Sequence, residues 1–247
     1  MRMLLGSVFA TALTAAVLAA GQAGTVPAAQ GEIQITPIMR ASVQIEYAGK
    51  VIQVDPMGKN DYSQAKPADL ILVTDIEADN LDPDQIAKIR KPGAPVVMPA
   101  AVATLAGAKI PAPTTVTANG ETKTVAGVSV EAVPMYNALR GPKPGEFYHP
   151  KGRGNGYVVT IGGKRLYFAG GSECTPEMKD LKNIDVAFVP MRMPTTMTPF
   201  EAADCVKAFQ PKVVYVYHYE GQKNDEAFFR AALKGTPQIE VRVDTQR

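Results

Sequence analysis

Leu70-Ile71-Leu72-Val73-Thr74-Asp75-Ile76-Glu77-Ala78-Asp79-Asn80-Leu81 is the stretch on which the reading of this chain turns. Four apolar residues in a row predict a buried strand, and three carboxylates and an amide follow just where that strand ends. Binding and catalytic groups are commonly mounted there, because the strand fixes the start of a loop whose tip stays at the surface. The stretch reads as a site, or the remains of one.

Working outward, short strands dominate the first half of the chain, at 33–35, 43–47, 51–54 and 70–73, with Ala48-Gly49-Lys50 as a hairpin turn and Asp55-Pro56 as a stop. A helix fits 83–89, capped by Asp82 with Pro83 in its first turn. Next come a strand at 96–98, a short helix at 100–106, and strands near 115–117, 124–125 and 128–133. Residues 137–156 are rich in Pro, Gly, Lys and Arg without a period, and read as a loop.

The second half repeats this grammar. Strands at 156–161 and 165–169 flank a Gly162-Gly163-Lys164 turn, followed by a short helix near 177–181, a strand at 186–189, a helix at 198–209 and a strand at 213–217. Thr198-Pro199-Phe200-Glu201 is a capping box with proline at the first helical position. Strand pairs followed by helices, twice over, predict two sheets with helices outside.

The chain holds only two histidines, His149 and His218, each in turn-rich sequence beside a strand. Scarce imidazoles in such places are candidate metal ligands or proton carriers, and equally candidate structural residues. The alternating Tyr215, Tyr217 and Tyr219 read as packing.

Residues 1–28 carry an early arginine, an apolar run to about Ala20 and small residues at Ala20, Ala23 and Ala28, which together predict a secretory signal peptide and a periplasmic or secreted protein. Without a basic stop-transfer cluster, the apolar run does not read as a membrane anchor. Residues 32–245 then form one domain. Lys and Arg total 26 against 24 Asp and Glu, with no basic stripe, so nothing points to a nucleic-acid partner. Cys174 and Cys205 permit one disulfide in an exported protein, although their spacing leaves bridge and free thiols equally open.

The order of segments resembles the metallo-β-lactamase superfamily, in its L-ascorbate-6-phosphate lactonase-like branch. The resemblance is carried by Gly49-Lys50-Val51-Ile52-Gln53-Val54-Asp55-Pro56, by Ala68-Asp69 running into the strand at 70–73, and by Phe147-Tyr148-His149-Pro150, Arg165-Leu166-Tyr167-Phe168-Ala169-Gly170 and Ile184-Asp185-Val186-Ala187. It implies an α/β fold, the four-layer αββα sandwich, with metal ligands on loops at one edge of the sheets. The family's His-x-His-x-Asp-His loop matches Asp75, Glu77, Asp79 and Asn80, so only the aspartate is kept. Its later metal-bridging aspartate falls on Gly171 and an early histidine on Arg40, while two later histidines match His149 and His218.

Carried over position by position, the resemblance implies Asp75, Glu77 and His149 around a first metal and Asp79, Asn80 and His218 around a second, with Asp79 as general base. Gly171 cannot bridge two ions, so the resemblance predicts loss of the usual dinuclear zinc chemistry. Three readings follow. The protein is hydrolase-like with a lapsed site, a pseudoenzyme. Or it uses one divalent ion (Zn, Mn or Fe) to hydrolyse an ester, lactone or phosphoester. Or it binds a small anionic ligand without metal, through Arg40, Lys151, Arg153 and Arg192.

Overall fold

The structure, a computed structural model, describes residues 24–219 and 224–243. The expected leader lies outside them except for Gly24–Ala28, which forms the first strand of the fold. Two seven-stranded sheets follow the chain in order. The first comprises β1 (Gly24–Ala28), β2 (Gly31–Met39), β3 (Ser42–Tyr47), β4 (Lys50–Val54), β5 (Leu70–Leu72), β6 (Val96–Met98) and β7 (Thr114–Val116). The second comprises β8 (Thr122–Val125), β9 (Val128–Met135), β10 (Gly154–Ile161), β11 (Lys164–Phe168), β12 (Val186–Pro190), β13 (Val213–Tyr217) and β14 (Glu240–Val243). In each sheet the first four strands pair antiparallel, and the fourth to the seventh pair parallel.

The continuous apolar run at the end of β5 has a simple cause. Leu70 and Leu72 point into the core between the sheets, while Ile71 and Val73 point outward under the helices α1 (Pro83–Ile89) and α2 (Ala100–Ala106). A strand covered on both faces needs apolar residues at every position. The second sheet is built the same way. Phe168, Phe188 and Tyr215 stack in the inter-sheet core with centroids 4.5 and 4.9 Å apart. Tyr167, Ala187, Val189, Val214 and Val216 face α3 (Pro176–Lys179), α4 (Pro199–Phe209) and α5 (Asp225–Ala232). The four-layer αββα order is therefore present.

Local signals account for most of these elements. Asp82 accepts from the backbone N–H groups of Asp84 and Gln85, and the Thr198–Glu201 capping box opens α4. Ala48 and Gly49 both adopt positive φ in the β3–β4 hairpin, as a tight primed turn requires. The sequence gives no such signal for β1, α5 or β14. β1 contains Pro27, the N-cap Asn224 of α5 makes no side-chain cap, and β14 is a four-residue strand.

Cys174 and Cys205 form a disulfide that ties the loop after β11 to α4 across 31 residues of chain. Closing a loop of that length restricts the unfolded chain by about 3.7 kcal/mol. Replacing both cysteines by alanine is expected to lower urea-unfolding stability by roughly that amount, and an unchanged midpoint would show that the bridge adds nothing to the fold.

Candidate functional site

The parallel strands of both sheets end at one edge, and the charged loops gather there. Thr74, just past β5, sets the geometry. Its backbone N–H and hydroxyl both donate to Asp55, at 2.7 Å each, and its carbonyl accepts from Asn155 N–H of β10 at 2.9 Å. The Tyr157 hydroxyl donates to the Val73 carbonyl at 3.0 Å. The two sheets are thus pinned together where the acidic loop begins. Gly154 is required at this seam, since a Cβ there would lie 2.9 Å from the Thr74 carbonyl oxygen.

Asp55 is fully buried, and the sequence shows it only as the residue that stops β4. Burial pushes its carboxyl up to about 7, against the pull of the donors from Thr74 and Asn80. Asn80 turns inward to reach it, Nδ2 donating to Asp55 at 3.0 Å and to the Thr74 hydroxyl at 3.2 Å. Its amide nitrogen thus braces the base of the loop.

Asp75, Glu77 and His149 do come together, with one donor atom from each within 4.8 Å of the others. Asn137 clasps His149. Its Oδ1 accepts from the His149 backbone N–H at 2.8 Å and from ring Nδ1 at 2.6 Å, while its own Nδ2 donates to the Thr195 carbonyl. This clasp fixes the ring so that Nε2 faces the carboxylate of Glu77. That Nε2 is buried without a hydrogen-bond partner, 3.3 Å from Glu77 Oε1. A Cβ at Gly171 would stand 2.6 Å from it, so the imidazole fills the space a side chain at that position would need.

Arg153, 78 residues from Asp75 in sequence, enters this group. Its Nε donates to Asp75 Oδ1 at 3.0 Å, and its Nη2 donates to the other Asp75 oxygen and to Glu77 Oε1, the latter at 3.2 Å. Asp75 is only 1% exposed, so this fork supplies the counter-charge that a buried carboxylate needs. For Glu77, burial alone would raise the carboxyl, but the His149 contact and the Arg153 charge outweigh it and hold it low.

Asp79 is treated alike. Its Oδ2 lies 3.0 Å from His218 Nε2, 2.8 Å from Arg192 Nη1 and 3.8 Å from Arg40 Nη1. Burial opposes ionisation here too, yet the His218 hydrogen bond and the charges of His218 and Arg192 win and hold the carboxyl well below its usual range. A carboxylate so stabilised is a poor proton acceptor, which weakens the general-base role that the resemblance implies. Arg40 and His218 both hold left-handed backbones, and the His218 N–H donates to the Arg40 carbonyl at 2.7 Å. Non-glycine residues bear this conformation at a cost, commonly at functional sites.

Lys151 lies apart from these contacts, its Nζ 2.6 Å from Glu177 and 4.6 Å above the Tyr136 ring. Beside Asp79 an open cleft of about 520 Å³ is lined by Met39, Arg40, Met57, Lys59, Glu77 and Arg192, with Thr195 at its wall. Lys59 is a lining residue the sequence does not single out. Nor does the sequence show the clasping role of Asn137.

The sequence profile of the beta-lactamase superfamily domain matches residues 34–218. The chain belongs to the metallo-β-lactamase superfamily. Among its relatives is a UPF0173 metal-dependent hydrolase of Thermococcus onnurineus, 32% identical over 179 residues, which cover 69% of this chain and 77% of the relative. A similar protein from Polynucleobacter asymbioticus is 27% identical over 94% of this chain and 91% of its own length. Among solved structures, a proposed metal-dependent hydrolase of Parabacteroides distasonis superposes with a TM-score of 0.82 at 37% identity, over 92% of this chain and all of that one.

The family implies metal, and the residues present do not fit two ions. Gly171 offers no bridging oxygen, Arg153 already holds the first donor set, and Arg192 with His218 already holds Asp79. Three carboxylates face three guanidinium groups, so the charge is balanced among the side chains themselves.

Asp55 gives this edge a pH signature. The folded state holds its proton up to about pH 7, whereas an exposed aspartate releases it near 4, so its contribution is complete below about pH 4 and is lost as pH rises to 7. Glu77 and Asp79 act in the opposite sense, stabilising the fold above the ordinary carboxylate range and ceasing to do so as acid protonates them. Between pH 5 and 7.5 the wild type is expected to lose on the order of 2 kcal/mol more than Asp55→Asn in urea unfolding; parallel profiles would show that Asp55 is ionised throughout.

Proposed function

We propose that this chain is an exported member of the superfamily that has exchanged dinuclear metal chemistry for an arginine–carboxylate network and uses the adjoining cleft to bind a small anionic molecule. The observation that carries this reading is the Arg153 fork on Asp75 and Glu77, which stands among the first-metal donors. The cleft supports the second half of it. Arg40, Lys59 and Arg192 line it beside Met39 and Met57, with Arg192 and Arg40 also reaching Asp79. Such a lining suits a carboxylate or phosphate attached to a partly apolar body.

Metal-free hydrolysis has little support from the histidines. His149 and His218 are each 1% exposed, so neither offers a nitrogen to a substrate in the cleft. The competing reading, hydrolysis of an ester, lactone or phosphoester at a single ion on Asp75, Glu77 and His149, is favoured by one observation, the unpartnered Nε2 of His149. Arg153 stands against it.

Export is supported by the Cys174–Cys205 bridge, which an oxidising compartment maintains. Because Gly24–Ala28 pairs with β2, a cleavage that keeps the sheet intact falls at Ala20 or Ala23 rather than Ala28. Among the described residues no helix is long and apolar enough to cross a membrane.

Protein purified without chelator is expected to carry no stoichiometric metal by elemental analysis, and its melting temperature should rise with a subset of sugar phosphates or organic acids. Arg192→Ala should weaken that ligand by about tenfold or more. Two equivalents of zinc would refute the reading, and a melting temperature indifferent to every anion would refute its binding half.

A further inference from the structure

The geometry points to Arg153 as a plug in a cation site that is otherwise complete: Asp75, Glu77 and His149 are arranged to hold one divalent ion, and the guanidinium of Arg153 takes its place. This inference rests on the metal-free reading above and explains how the chain maintains it.

The donors are preorganised for an ion rather than for each other. Asn137 holds the His149 ring so that Nε2 faces the carboxylates, and that atom has no hydrogen-bond partner although it is buried. Two carboxylates and an imidazole gathered out of water need positive charge beside them. Arg153 supplies that charge to Asp75 and Glu77, but its hydrogen bonds go to the carboxylates and none goes to His149. The guanidinium therefore binds two of the three donors and makes no hydrogen bond to the third. A metal ion, which all three can approach at once, would satisfy every one of them. Two carboxylates with one imidazole suit Mn²⁺ or Fe²⁺ better than a thiophilic ion.

Arg153 is also placed so that it can leave. It lies just before β10, at the end of the loop that follows β9, and its side chain is 21% exposed while Asp75 beneath it is 1% exposed. The plug sits on the solvent side of the carboxylate, and withdrawing it opens the cluster outward.

The test uses the full mature chain and Mn²⁺ as the probe, with free ion quantified by its electron paramagnetic resonance signal and binding read also as a thermal shift. Arg153→Ala is expected to take up about one equivalent of Mn²⁺, at least about tenfold more tightly than the wild type, and to lose it when His149→Ala is added. Arg153→Gln, which keeps a donor for Asp75, serves where the alanine variant does not fold. A folded Arg153→Gln that binds no Mn²⁺, with the wild type also blank, overturns the plug and leaves the metal-free reading standing. Uptake of Mn²⁺ by the wild type as tight as by the variant overturns both. Uptake by Arg153→Ala that survives His149→Ala overturns the assignment of the site.

Discussion

The neutralisation of three carboxylates crowded into five residues is the constraint on which this edge of the molecule depends. Asp75, Glu77 and Asp79 lie on one turn at the end of β5, partly or wholly out of water. Like charges about 4 Å apart repel by about 4 kcal/mol at the effective dielectric of a protein surface, so the turn needs cations close by. In a metal-dependent hydrolase that cation is the metal. Here Arg153 lies on the first pair and Arg192, with Arg40 behind it, on Asp79.

The scaffold under the network is independent of that exchange. Asp55 binds Thr74 and Asn80 below the loop, Tyr157 and Asn155 tie the loop's root to the second sheet, and Asn137 holds His149. The residues that place the loop are thus distinct from the guanidinium groups of Arg153 and Arg192 that lie on its carboxylates.

How much of this was legible in the sequence depends on separation along the chain. The α4 capping box, the Asp82 cap and the doubly apolar strand at Leu70–Leu72 are local patterns, and each appears where its pattern predicts. Asp75, Glu77 and His149 were identified through the resemblance and do meet. The partnership of Arg153 with Asp75 was not legible, because the arginine sits in an aperiodic loop 78 residues away and nothing local distinguishes it from a solvated surface cation. Asp55 looked like a strand stop because its role exists only once β4 and β5 are side by side. The inward turn of Asn80 was not legible for a related reason: an amide can brace the backbone as readily as it can face a ligand, and position alone does not say which way it turns.

The central claim is that guanidinium groups stand where the superfamily implies metal. Anomalous diffraction at the zinc edge, from crystals grown in zinc, tests it most directly. The account predicts no anomalous peak among Asp75, Glu77 and His149, with the Arg153 fork in place on Asp75. A strong peak there, with Arg153 swung away, or a second one beside Asp79 and His218, would contradict it.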